Sequence, residues 1–195
     1  MNENKDSLSE KYFDDVYNAN ADPWHFETSE YEQEKYVATI EALPKAMYNN
    51  VFEPGCSIGV LTEMLADKSK KLLAVDPAEA PLVNTRFRLQ KKHHVEIMRM
   101  QVPVEFGNEQ YDLIVISEIA YYLNENDLAI LRTNIINHLE RGGQLIMVHY
   151  TPFVHDYPQT GDEVHEYFLN TEKSILKHLL HQRHDTYRLD VFEKV

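Results

Sequence analysis

The residues best placed to do chemistry are two glycines and two acids. Gly55 and Gly59 lie in the stretch Val51-Phe52-Glu53-Pro54-Gly55-Cys56-Ser57-Ile58-Gly59-Val60-Leu61-Thr62, with Glu53 just ahead of them. About twenty residues on, Leu72-Leu73-Ala74-Val75-Asp76 is an apolar run that ends in a carboxylate. An apolar strand, a glycine loop and a helix let a ligand approach bare backbone. An acid at this distance, on the end of the next strand, can take both hydroxyls of a ribose. The chemistry implied is the holding of one adenosine cofactor. The third glycine of a dinucleotide fingerprint is missing, since Val60 and Leu61 occupy its place. A pyrophosphate needs that close seat on a helix N-terminus, so a nicotinamide dinucleotide is disfavoured.

A second group, Ser117, Glu118, Tyr121, Tyr122 and His149, falls at or just beyond the ends of two further apolar runs. Ligands of open α/β sheets bind at that edge. A carboxylate or imidazole there could take a proton from a bound nucleophile, while Glu118 could equally cap the following turn and His149 could be a satisfied core histidine. Trp24, Tyr31 and Lys35 form a third group near the start of the chain. An aromatic face attracts cations through its quadrupole, and core packing is the plainer reading of the same residues. Cys56 has no visible histidine partner and is read as packing. The ten histidines include His178, His181 and His184. On a strand that spacing alternates faces, so no metal site is expected.

The elements that must position these residues follow in order. Ser29 with Glu32 makes a capping box for a helix over 30–43, stopped by Pro44. Strands are predicted at 50–53, 71–76, 95–100, 111–117 and 144–149. Helices are predicted at 60–68, 82–91 and 128–139, with Pro77 and Pro81 framing a turn and Arg141-Gly142-Gly143 closing the third helix. Strands that alternate with helices make a parallel sheet. After Tyr150 a loop and a helix over 162–170 lead to an antiparallel hairpin over 175–193. The fold class is therefore α/β, Rossmann-like, with helices on both faces and a C-terminal hairpin. It is read as a single domain with a cap or lid segment (1–44), a cofactor-binding core (45–150) and a closing part (151–195).

Composition narrows the partners. At 195 residues the chain can bury its own core. Its 19 basic against 32 acidic residues give a net charge of -13, which repels phosphate backbones. The basic cluster Arg86, Arg88, Lys91, Lys92, His93 and His94 reads as the cationic end of a helix. Nucleic acid is not an expected partner. No apolar run reaches a membrane span, no leader is evident, and a lone cysteine suits a reducing compartment, so a cytoplasmic protein is expected, as monomer or weak homodimer.

Taken together, the strings resemble class I S-adenosylmethionine-dependent methyltransferases, whose sheet has seven strands with the last inserted antiparallel. A narrower resemblance is to the nodulation protein S group, N-methyltransferases of chitooligosaccharide amines. It rests on Tyr12-Phe13, Asp22-Pro23-Trp24, Tyr31-Glu32 with Lys35-Tyr36, Gly55 to Thr62, and Ser117-Glu118 followed by Tyr121-Tyr122-Leu123. Departures are Pro54, where a small flexible residue is more usual, and a short connection between Met100 and Tyr111. The resemblance implies S-adenosyl-L-methionine as cofactor and S-adenosyl-L-homocysteine as product. It implies cofactor contacts from Trp24, Tyr31, Lys35, Glu53, Gly55, Ser57, Gly59, Asp76, Pro77, Gln101 and Ser117, with Gln101 on the adenine side. Glu118, His149 and Tyr122 are the candidates for catalysis. The expected acceptor is a small molecule, most of all an amine such as an amino sugar. The alternatives are O-methylation of a small hydroxyl, or a binding module without catalysis. A nicotinamide oxidoreductase is weakened further by the lack of a Tyr-x-x-x-Lys pair after the fourth strand.

Overall fold

Leu113 to Ile116 is an unbroken aliphatic run within Tyr111–Ser117, where all residues but Ser117 are buried. Such a run suits a strand covered on both faces. It is β4 of a seven-stranded sheet in a computed structural model that describes residues 5–195. The other strands are β1 (Val51–Pro54), β2 (Leu72–Asp76), β3 (Val95–Arg99), β5 (Leu139–Tyr150), β6 (Leu176–Arg183) and β7 (Tyr187–Lys194). Their order is β3-β2-β1-β4-β5-β7-β6. β1, β2 and β3 run parallel, as do β4 and β5, while β7 is antiparallel to both β5 and β6. The α/β class and the closing hairpin are as the sequence indicates. The chain forms two compact units, residues 9–101 and residues 5–8 with 102–195.

In the first unit, α1 (Glu10–Ala19) is a helix for which the sequence analysis names no element. The Ser9 side chain caps it by accepting from Tyr12 N–H, and Tyr17 is buried. α2 (Glu30–Glu41) starts at the expected Ser29 cap and ends just short of the predicted stop. α3 (Val60–Ala66) follows the glycine loop. α4 (Glu79–Arg88) begins three residues earlier than predicted, so Pro81 lies inside the helix and does not frame a turn. It sits in the first turn, where an N–H would have no helical partner to lose.

In the second unit, α5 (Glu125–His138) is capped by the Asn124 side chain, which accepts from Asp127 N–H. β5 starts five residues before the predicted Gln144, with a register shift opposite Tyr111 and Leu113. Gly143 belongs to that irregularity: a Cβ there would lie 2.8 Å from Glu140 O. α6 (Gly161–Leu169) carries a full capping box between Thr160 and Glu163. β6 shifts register between His178 and Leu180, and this extra residue corrects the expected alternation of faces. His178 and His181 both reach Asp190 of β7, at 2.7 and 2.9 Å.

Candidate active site

The glycine loop between β1 and α3 is built from left-handed residues. Gly55 has φ +79°, Ser57 +48° and Gly59 +80°. Glycine takes this conformation at no steric cost, while Ser57 does so only because the loop is tied on several sides. Gly55 and Cys56 N–H donate to Val75 O at 2.7 and 3.0 Å. Arg88 Nε donates to Ile58 O at 3.1 Å, and Thr85 Oγ1 donates to Ser57 O. A Cβ on Gly59 would lie 2.7 Å from Thr85 Cγ2, so α4 packs where only a bare backbone fits.

Asp76 closes this cradle. It is 5 % exposed at the end of β2, with Oδ2 accepting from Ser57 N–H and Oδ1 from Ala78 N–H, each at 3.0 Å. Each oxygen keeps a second lone pair, which matches the two hydroxyls of a ribose. Burial pushes its carboxyl up to about 6, against the pull of the two N–H donors. Glu53, in the middle of β1, is 3 % exposed, and its Oε2 is buried without a hydrogen-bond partner. Burial raises that carboxyl to about 7. A buried acceptor of this kind fits a ligand that brings its own donor. A bare-backbone loop, a half-satisfied carboxylate pair and an orphaned acceptor fit an adenosyl group in this unit. Pro77 follows Asp76 directly, with its carbonyl accepting from Arg99 Nε at 2.9 Å.

Tyr17, which is not among the expected site residues, donates its hydroxyl to Ser57 Oγ at 2.6 Å. It stands edge-on to Trp24, which stacks on Phe26. The expected site residue Trp24 is therefore part of an aromatic cluster against the glycine loop. Lys35 is 2 % exposed, paired with Glu32 at 2.9 Å and set 5.0 Å over the Tyr31 ring. Gln101 is exposed just past β3. Cys56 packs with Ala74, Leu82 and Ile97, and burial holds its thiol well above the ordinary range, so it is no nucleophile. The basic end of α4 is locally neutralised: Arg86 pairs with Glu79, Arg88 with Glu27 and Glu63, and Lys92 with Asp67.

The second unit presents the candidates for proton transfer. Ser117 ends β4, and Glu118 follows with φ +58°, a left-handed conformation with no signal in the neighbouring residues. Its Oε2 accepts from Tyr121 OH at 2.6 Å and from Tyr150 N–H at 2.9 Å. The 3-10 turn Ala120–Tyr122 carries two tyrosines. Tyr157 stacks on Tyr121 at 5.0 Å and meets Tyr122 edge-on at 4.8 Å, a third ring that the sequence reading did not pick out. Burial keeps the Tyr122 hydroxyl well above its usual range, so it stays protonated and cannot serve as a base. His149 is fully buried. Its Nε2 lies 3.2 Å from Ala120 N and its Nδ1 3.0 Å from His165 Nε2, which leaves neither nitrogen for a substrate.

Comparison with known proteins places this geometry. The family model described as nodulation protein S (NodS) matches residues 2–151. Nodulation protein S of Sinorhizobium fredii (strain NBRC 101917 / NGR234) is 32% identical over 130 residues, 64% of this chain and 59% of that protein. Nodulation protein S of Bradyrhizobium diazoefficiens is 33% identical over 105 residues, 53% of this chain and 50% of that protein. The match thus spans between half and three fifths of these two curated relatives. Among solved structures, the N-methyltransferase NodS from Bradyrhizobium japonicum WM9, in complex with S-adenosyl-L-homocysteine, has the same fold. Its TM-score is 0.79, over 96% of this chain and 99% of that one, at 19% identity. A Pseudomonas syringae protein assigned as a methyltransferase matches with TM-score 0.75 at 28% identity, over 85% of this chain and 100% of that one.

Proposed function

The chain belongs to the nodulation protein S family, and on that premise we propose that it moves a methyl group from S-adenosylmethionine to a small, amine-bearing acceptor. The observation that carries this is Asp76, a buried carboxylate with one backbone donor on each oxygen and one acceptor site left on each. When bound, S-adenosylmethionine supplies an electrophilic methyl on a sulfonium. Asp76 would accept from the ribose hydroxyls, Glu53 would accept a donor at the buried end of the cradle, and the left-handed loop at Gly55, Ser57 and Gly59 would offer it bare backbone. Tyr17, through Ser57, and the stacked Trp24 brace that loop.

Transfer is an in-line displacement, helped chiefly by proximity and orientation. An ammonium must first lose a proton, and Glu118 is the residue we assign to take it. Its left-handed backbone and two hydrogen bonds fix its carboxylate at the end of β4. Tyr157, half-buried against the buried Tyr121 and Tyr122, offers aromatic surface that favours a cationic acceptor. The net charge of -13 favours the same acceptors from a distance.

The test is methyl transfer from labelled S-adenosylmethionine over amino sugars, polyamines and phenols. Transfer to an amino sugar or polyamine is the expected result. Transfer to phenols alone would replace the reading with O-methylation, a reaction with its own relative: a ubiquinone biosynthesis O-methyltransferase of Acinetobacter baumannii (strain AYE) is 34% identical over 73 residues, 35% of this chain and 31% of that protein. No transfer to any class, with the cofactor bound, would leave a binding module.

A further inference from the structure

Three buried side chains of the second unit, His149, His165 and Asp190, are each 0 % exposed and joined end to end. Ala120 N–H meets His149 Nε2 at 3.2 Å, and His149 Nδ1 meets His165 Nε2 at 3.0 Å. His165 Nδ1 meets Asp190 Oδ2 at 2.6 Å. A backbone N–H can only donate, so His149 Nε2 accepts and its proton sits on Nδ1. That proton is donated to His165 Nε2, which puts the proton of His165 on Nδ1, facing Asp190. The carboxylate is fixed as acceptor at the far end, because Arg188 Nε donates to the same oxygen at 2.7 Å. His178 Nε2 and His181 Nδ1 engage the other oxygen. The chain of hydrogen bonds therefore has one direction, from the Ala120 amide to Asp190.

Gly161, the first residue of α6, makes it possible. A Cβ there would stand 2.3 Å from Tyr150 O and 3.0 Å from His149 Cβ, so the helix start lies directly on the end of β5 and brings His165 within reach. Ala120 lies two residues beyond Glu118, in the turn whose entry is left-handed. His149 Nε2, fully buried, gives that amide its acceptor inside the protein.

We propose that His149, His165 and Asp190 are a positioning relay: a one-directional hydrogen-bond chain that holds the turn after β4, and with it the carboxylate of Glu118, in place for proton removal. The part that concerns Glu118 rests on the methyltransferase reading; the proton arrangement does not.

The test uses the full chain labelled with 15N-histidine. Long-range proton–nitrogen correlation at pH 7.5 is expected to find His149 and His165 neutral, both with the proton on Nδ1. A His149 protonated on Nε2 would overturn the relay. His165→Phe removes the acceptor, and hydrogen exchange at the Ala120 amide is expected to speed up at least tenfold; His165→Gln, which accepts through its amide oxygen, should restore protection to within about threefold. Unchanged exchange in His165→Phe would contradict the proposal, and should that variant not fold, the wild-type tautomers and His165→Gln still decide it. With an acceptor from the panel above, His165→Phe should lower kcat about tenfold at unchanged KM for S-adenosylmethionine. In a Glu118→Gln background the same change should cost nothing more, whereas full multiplication of the two losses would show that the relay does not act through Glu118. If the tautomers hold and no acceptor is methylated, the functional reading fails and the relay stands; with methylation and the wrong tautomers, the reverse.

Discussion

Asp76 combines two demands that oppose each other. Burial resists its charge, lifting its carboxyl to about 6, while two backbone N–H groups favour the charge. Two ribose hydroxyls would add two donors, so ligand binding favours the ionised form and lowers the pKa in the complex. The sign then follows: affinity is complete above about 6 and is lost as pH falls below it. Asp76 alone should make calorimetric affinity for S-adenosylhomocysteine about tenfold weaker at pH 5 than at pH 7, and Glu53, whose carboxyl stands at about 7, adds a loss of the same sign. Asp76→Asn should weaken binding and leave only the part of the pH dependence that Glu53 carries. Wild-type affinity that does not change over this range would mean that Asp76 does not meet the ligand. The ligand's own amino and carboxyl groups do not titrate in this window.

At the scale of elements, the unit of β1, glycine loop and α3 depends on how closely α4 approaches. Gly59→Ala meets both a left-handed backbone and Thr85 Cγ2 at 2.7 Å. Gly142 has a similar φ of +72° and nothing within 4 Å. Gly142→Ala should therefore lower unfolding stability by about 1 kcal/mol, and Gly59→Ala by about 2–4 kcal/mol, read from denaturant midpoints. Equal losses would show that Thr85 yields freely. This loop was legible in the sequence because its signals are local: glycines where φ is positive, an apolar strand on each side, an acid at the next strand end. β4 was legible because Leu113 to Ile116 is an unbroken aliphatic run, as a strand buried on both faces requires. Other features needed the fold. The φ of Glu118 is +58° at a residue that announces no turn, held there by bonds from Tyr121 and Tyr150. α1 was missed because Phe13 and Tyr17, a turn apart, sit in an acidic, polar stretch. His149, His165 and Asp190 lie 16 and 25 residues apart, and α6 and the β5–β7 pairing bring them together. The register shift in β6, which turns His178 and His181 to one carboxylate, has no signal in the sequence.

For the whole molecule, charge and fold limit what can be bound. The net charge of -13 is not offset by the basic end of α4, because Glu79 of the same helix pairs with Arg86, and acids on neighbouring segments pair with Arg88 and Lys92. Among the described residues no helix is long and apolar enough to cross a membrane. A small cationic acceptor is the partner this charge favours, and the adenosyl cradle is the feature on which the account depends. Isothermal titration of the full chain with S-adenosylhomocysteine and with NAD, repeated for Asp76→Ala, tests it most directly. One equivalent of S-adenosylhomocysteine should bind and NAD should not, and Asp76→Ala should weaken binding by at least a hundredfold, as expected for two lost charge-assisted hydrogen bonds of about 1.5–3 kcal/mol each. Binding of S-adenosylhomocysteine by Asp76→Ala with the affinity of the wild type would contradict the account.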